Sequence, residues 1–172
     1  MKLDLHTHCL WATDYHPPTA ETVSRIVNQI KARGLDGIAI TEHWDSSYGF
    51  KVKEIVEQVF NNEVLIIPGQ EVDRAGRHEV DLYLPDGSVF RFLAHPGYPP
   101  NSYLIDNVHG IEIENSLHNW QINRDWVREM TAEYNLVPLR NSDAHSIERI
   151  GHLYNELTLD ELCAHAEPRP GP

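Results

Sequence analysis

Two short stretches at opposite ends of the chain carry side chains that an ordinary core does not need. "DLHTH" puts His6 and His8 one residue apart after an apolar run, and the loop after it adds Asp14 and His16. Residues two apart on an extended segment face the same way, so both imidazoles can reach one ion. "SDAH" offers Asp143 and His145 at the same spacing. Between these pairs, His43 closes "GIAITEH", Glu71 lies in "GQEV", and His95 lies in "AHPG". Any one of these residues is commonly a loop cap or a solvated group. Together they describe a metal centre, and mixed imidazole and carboxylate ligands without clustered cysteines suit zinc, manganese or iron rather than calcium.

For these residues to meet, the segments that carry them must end at one rim. "TAETVSRIVNQIKARG" spaces Val23, Ile26, Val27 and Ile30 as an amphipathic helix, with Thr19 as N-cap and Gly34 past its end. "GIAITEH" then reads as a buried strand. Val52, Ile55, Val56, Val59 and Phe60 form a second helical stripe, followed by the strand "EVLIIPGQEV". Further strands are expected at "HEVDLYL", "FRFLAHP", "GIEIEN" and "LVPLRNSDAH", with a helix through Ile122, Trp126 and Met130 before the last. Strands alternating with helices predict a parallel α/β sheet or barrel, whose strand C-termini gather side chains at one face. Asp86-Gly87 interrupts the pattern as a hairpin turn too short for a crossover helix. A single domain over residues 1–165 is expected, with 166–172 as a frayed tail.

Composition narrows the partners. Against 14 basic residues stand 26 acidic ones, for a net charge of -12. Nonspecific attraction to nucleic-acid backbones is therefore disfavoured, and a phosphate-handling protein of this charge needs cations. Cys9 and Cys163 are far apart and support neither a disulfide scaffold nor a zinc ribbon, which favours a reduced, cytoplasmic setting. No charged segment leading into an apolar run opens the sequence, and no run approaches the ~18 residues of a membrane span. Secretion and membrane insertion are not expected.

The order of motifs resembles the PHP family, the polymerase and histidinol phosphatase domains. "DLHTH", "TEH", "GQEV" followed by a histidine, "AHPG" and "NSDAH" look like its successive motifs over residues 4–145. The resemblance implies a compact, distorted β/α barrel of about seven strands, with two to three divalent ions at the C-terminal rim. Carried over, His6, His8 and Asp143 hold the first ion together with Glu71, which bridges to a second ion completed by His78 and His95. A third is held by Asp14, His43 and His145, with His16 near enough to replace Asp14. Glu71, Asp143 and His145 are expected to act most directly in catalysis. Glu112 and Glu114 share a strand face and either orient a ligand histidine or are strand-end charges. His109, His118, His152 and His165 match no motif. The chain is short for the family, and crossover helices are missing around "PDGS".

The activity that the resemblance implies is that of a metal-dependent phosphoesterase, in which a hydroxide bridging two ions attacks a small phosphomonoester such as a nucleotide or histidinol phosphate. An exonuclease-type phosphodiesterase, with nucleic acid only as substrate, a hydrolase of C–N bonds and a non-catalytic metal-stabilised module are the alternatives. Arg74 and Arg77 in "RAGR" either clamp the substrate phosphate or form a solvated turn.

Overall fold

In the computed structural model, which describes residues 1–74, 76–97 and 107–168, apolar alternation is resolved into strands wrapped around one interior. Chain order is β1 (Lys2–Asp4), the one-turn α1 (Cys9–Ala12), α2 (Ala20–Ala32), β2 (Gly37–Ile40), α3 (Ser47–Val59) and β3 (Leu65–Arg74). Then come β4 (Arg77–Tyr83), β5 (Ser88–Leu93), β6 (Gly110–Asn115), α4 (Arg124–Tyr134), β7 (Val137–Asn141), β8 (Asn155–Glu156), α5 (Leu159–His165) and β9 (Glu167–Pro168). The sheet runs β7-β6-β5-β4-β3-β2-β1-β8, with β9 beside β5. It is a distorted, nearly closed β/α barrel, with eight strands on the main path where about seven were expected. The expected tail at 166–172 begins instead with β9, and residues 169–172 lie outside the described residues.

Helices α2, α3 and α4 form where the sequence periodicity predicts them, while α1 and α5 were not expected. Thr19 accepts the Thr22 backbone N–H at the start of α2, and Asn123 does the same for Trp126 at α4. Val23, Ile26 and Ile30 of α2 join Val52 and Val56 of α3 against Ile38, Ile40 and Ile66 outside the barrel. Leu3, Leu5, Ile67, Leu82, Phe90 and Phe92 fill the interior, and Leu162 of α5 joins them. The β2–β3 pairing is tight enough that β2 has room only for glycine at its start. A Cβ on Gly37 would meet the Leu65 carbonyl oxygen at 2.3 Å. Gly37→Ala is expected to cost about 1–3 kcal/mol as the strands shift apart, visible as a lower denaturant midpoint at unchanged slope.

The parallel order is broken in the middle of the sheet, at the hairpin expected from Asp86-Gly87 and at a second one before it. β3–β4 and β4–β5 are antiparallel, because the "RAGR" and "PDGS" connections are too short to cross over. Among the described residues no helix lies between β3 and β4 or between β4 and β5 to cover their outer faces. A charge network does so instead: Glu79 and Asp81 of β4 are nearly buried beneath Arg74, Arg77 and Arg91.

Barrel closure lies between β1 and β7, and its two ends are built differently. At the upper end, the continuation of each strand pairs through backbone, with Asp143 N–H donating to the His6 carbonyl and His8 N–H to the Ala144 carbonyl, each 2.9 Å. At the lower end, β8 inserts beside β1. Asn155 substitutes for a strand there, accepting from Arg140 N and donating to the Arg140 and Leu3 carbonyls. Buried Asp4 fastens the same seam, accepting from Ser142 N and Oγ and from Gly151 N.

Candidate metal centre

The backbone closure at the upper end brings "DLHTH" and "SDAH" side by side. His6 Nε2 and His8 Nε2 are 3.2 Å apart, and each is 3.2 Å from Glu71 Oε2. Asp143 Oδ1 completes this cluster at 3.6 Å from His6 Nε2 and 3.3 Å from His8 Nε2. The other oxygen of Glu71 faces β4 and β5, with His78 Nδ1 at 2.8 Å and His95 Nε2 at 3.2 Å. Three groups of possible ligand atoms lie within 4.8 Å of one another: His6–His8–Glu71, Glu71–His78–His95, and His8–His43–His145. One carboxylate thus joins two groups, as the bridging role requires. Both His95 (φ 31°) and Asp143 (φ 53°) sit at positive φ, backbone strain of the kind that binding sites store. "SDAH" is therefore not extended; its histidine instead turns so that Nδ1 donates to the Asp143 carbonyl at 3.0 Å.

Glu112 organises the interior wall. Fully buried on β6, it accepts from His6 Nδ1 (2.9 Å), His95 N (2.6 Å), Asn141 Nδ2 (2.9 Å) and Asn115 Nδ2 (2.9 Å). With Nδ1 donating to Glu112, His6 presents the lone pair of Nε2 to its neighbours, the tautomer a metal ligand needs. Its neighbour Glu114 points elsewhere, toward Arg140 at 3.6 Å. Asp4, two residues before His6, holds Ser142 and Gly151. His8 has no hydrogen bond of the kind His6 makes to Glu112: among the described residues, His8 Nδ1 and Glu42 Oε2 are buried without a hydrogen-bond partner and stand 3.9 Å apart, while Glu42 Oε1 accepts from Leu10 N.

These residues fit divalent cations. A lone pair on His6 Nε2 facing a Glu71 oxygen at 3.2 Å is a contact between acceptors, which only a proton or a cation can make favourable. The electrostatics point the same way. Burial would lower His6, but Asp143, Glu71 and Glu112 outweigh it and raise its pKa well above the ordinary value. Burial would raise Glu71, but the surrounding histidines hold it well below the carboxylate range. Asp143 is depressed against its own burial by His6 and His8. His43, by contrast, is pushed down by burial to about 4 and is neutral at neutral pH, ready to donate a lone pair.

Other expected residues fall outside the cluster. Asp14 lies on an exposed turn at φ 54° and belongs to none of the three groups; in the group nearest to it, His8 accompanies His43 and His145. The substitute His16 is also exposed and its Nδ1 bonds the Thr13 carbonyl at 2.6 Å. Asp14→Ala is therefore expected to keep metal content and rate within about twofold of the parent, measured by elemental analysis and turnover. Arg74 does not line the cavity above the cluster: its guanidinium pairs with Asp81 (2.6 Å) and Glu79 (2.9 Å) on the outer face. Arg77 does line that cavity, while its Nη2 pairs with Glu79 at 2.6 Å.

One residue without a motif belongs here. His118, in the turn after β6, has Nε2 3.7 Å from Asp143 Oδ2 and its ring centroid 4.8 Å from that of His95. Asn115 sets this turn by accepting from Leu117 N and His118 N. The cavity over the cluster measures about 390 Å³ and is walled by His43, His78, His95, His118, Asp143 and His145 among others, a size suited to a small molecule.

A nearly closed β/α barrel with carboxylate-bridged histidine groups at the C-terminal rim defines a class of barrel proteins built to hold metal at that rim. The comparisons agree: the chain matches the PHP domain over residues 4–165 and belongs to that family. Among curated proteins it finds no match. Three solved structures share its fold. An amidohydrolase from Chromobacterium violaceum, with bound sulfate and no metal, is 13% identical at a TM-score of 0.64, covering 98% of each chain. A protein of Bifidobacterium adolescentis, provisionally described as a metal-dependent phosphoesterase, is 14% identical at 0.62, covering 94% of each. PsfC from Pseudomonas syringae is 18% identical at 0.60, covering 87% of this chain and 78% of its own. Among the described residues no helix is long and apolar enough to cross a membrane.

Proposed function

We propose that the protein is a metal-dependent hydrolase of small phosphate monoesters. The observation that carries this reading is the convergence of lone-pair nitrogens and carboxylate oxygens around Glu71 at the floor of an open cavity. Two ions fit the Glu71 groups, with His6, His8 and Asp143 at one and His78 and His95 at the other; His43 and His145 offer a third position that shares the single lone pair of His8 with the first. Zinc, manganese or iron suits this donor set. When bound there, such ions supply a water acidic enough to attack at neutral pH and positive charge against phosphate oxygens.

The chain's own residues do the rest. Glu112 holds His6 in orientation through its hydrogen bond to Nδ1, so that Nε2 stays directed at Glu71. The β7–β1 seam fixes Asp143 against that pair. Arg77 at the cavity wall would donate to a phosphate oxygen, and His118 lines the same cavity. Family membership supports the hydrolase class, and the protein provisionally described as a phosphoesterase shares the fold. The net charge of -12 disfavours a long polyanion and so favours a small substrate.

The test is phosphate release from a panel of monoesters by protein purified without chelators, alongside amide and diester substrates and elemental analysis. Release of phosphate that stops on chelation and returns with metal supports the proposal; turnover of amides alone would overturn it. The two arginines part ways here. Arg77→Met is expected to raise KM about tenfold, the size of one charge-assisted hydrogen bond, and also to lower stability, because Arg77 Nη2 pairs with nearly buried Glu79. Arg74→Met is expected to leave KM unchanged and to lower stability by about 1–3 kcal/mol, since it strips partners from nearly buried Glu79 and Asp81. Kinetics and denaturant melts of both variants check the assignment.

A further inference from the structure

Beside the metal groups, the rim carries aromatic rings that the hydrolytic machinery does not use. Trp44 is 82% exposed and Tyr15 61% exposed, an unusual position for large rings that gain by burial. They are not scattered. The Trp11 ring lies 5.7 Å from Tyr15 and 6.5 Å from Trp44 between centroids. The same Trp11 meets His145 edge-on at 4.9 Å, and Trp44 lies 5.4 Å from His43. The patch is therefore continuous with two of the histidines that face the His8 group.

The backbone beneath the patch is bent to present it. After α1, Asp14 and Tyr15 occupy the left-handed region consecutively, at φ 54° and 61°, with no glycine to ease the turn. Each such residue costs roughly 1–2 kcal/mol. The turn is held by Asp14 N donating to the Trp11 carbonyl (3.0 Å) and Tyr15 N to the Leu10 carbonyl (2.8 Å). Its result is that Tyr15 stands in solvent next to Trp11 rather than folding into the core.

We infer that Trp11, Tyr15 and Trp44 form a stacking platform for a planar ring carried by the substrate, which makes that substrate a phosphate ester of the nucleoside type; the inference rests on the phosphoesterase reading. Chemistry favours this occupant. Ring stacking is worth about 1–3 kcal/mol per base and needs no excess of positive charge, which suits a chain of net charge -12. A ring seated on Trp44 and Trp11 lies directly beside His43 and His145, so an attached phosphate reaches the ions without a long tether. A long nucleic acid would need basic residues along its path, so the ring belongs to a small molecule.

The experiment uses zinc-loaded protein and follows tryptophan emission. It is titrated with adenosine and with the non-hydrolysable phosphonate analogues of adenosine 5′-monophosphate and ribose 5-phosphate. The adenosine-type phosphonate is expected to bind about tenfold more tightly than the ribose-type one and to quench emission. Trp44→Leu, at an exposed position where folding is not at stake, is expected to bring the two within about twofold. Trp44→Phe, which keeps a ring, is expected to retain most of the preference, and the ribose-type affinity should not move in either variant. Equal affinity for the two phosphonates in the parent, or equal weakening of both in Trp44→Leu, overturns the platform. Adenosine separates the two proposals. If it binds the parent and not Trp44→Leu, while neither phosphonate gains on it, the platform stands and the phosphoesterase reading falls.

Discussion

Glu71→Gln is expected to leave the protein folded but nearly inactive, with metal content reduced by more than one ion per chain and turnover down about 10²–10³-fold. The reason is geometric. One oxygen of Glu71 faces His6 and His8, and the other faces His78 and His95. Glutamine removes the charge from both groups at once and directs amide hydrogens at one of the two imidazole pairs. His95→Ala is the contrast, since it touches only one group and should lose about one ion. Elemental analysis with turnover checks both, and a Glu71→Gln protein that keeps its full metal complement would remove the bridge from the mechanism.

The second large effect is expected at Glu112, which touches no cavity. Glu112→Ala leaves three buried donors without that acceptor, those of His6, His95 and Asn141, and leaves Asn115 Nδ2 with Asp143 Oδ2 alone. Removing one side of such a buried network costs about 3–5 kcal/mol, and a lower denaturant midpoint would show it. Metal affinity should fall too, by about 10–100-fold, because His6 loses the partner that fixes its tautomer. Glu112→Gln keeps the volume and one acceptor oxygen. It should therefore recover much of the stability and less of the affinity. If Glu112→Gln lost stability and kept metal affinity, the orienting role would be refuted.

Much of this centre is legible in the sequence because its residues end strands, and strand ends are where side chains of different segments can meet. His6, His8, His43, Glu71, His78, His95, Asp143 and His145 are all placed at one rim. Asp14 has a suitable side chain at a suitable spacing, but two successive left-handed residues turn it outward, a backbone state its type permits and does not announce. Arg74 shows a cue available and unused. It lies three residues after Glu71 on one strand, so it must face the opposite side. The β4–β5 hairpin is legible in "PDGS", a connection too short to hold a crossover helix, and the same reasoning applies to "RAGR". His118 left no trace of its role. It reaches Asp143 because Asn115 folds the turn after β6, and nothing in the spacing of "ENSLH" distinguishes that turn from any other.

The seam between β1 and β7 joins segments far apart in the chain: Asp4 and Ser142, which bond across it, are 138 positions apart. Folding must close that loop before His6, His8 and Asp143 can meet, and closing it sacrifices chain entropy that few local contacts repay on the way. An ion gripped from both sides of the seam then behaves as a reversible cross-link, comparable to a disulfide spanning nearly the whole domain yet dissolved by a chelator rather than a reductant. Its main signature is kinetic. Escape from the native state requires the first and last strands to part, so the unfolding rate should rise steeply on metal removal, while a nick in a surface connection within the loop would leave the holoprotein's two halves clasped together.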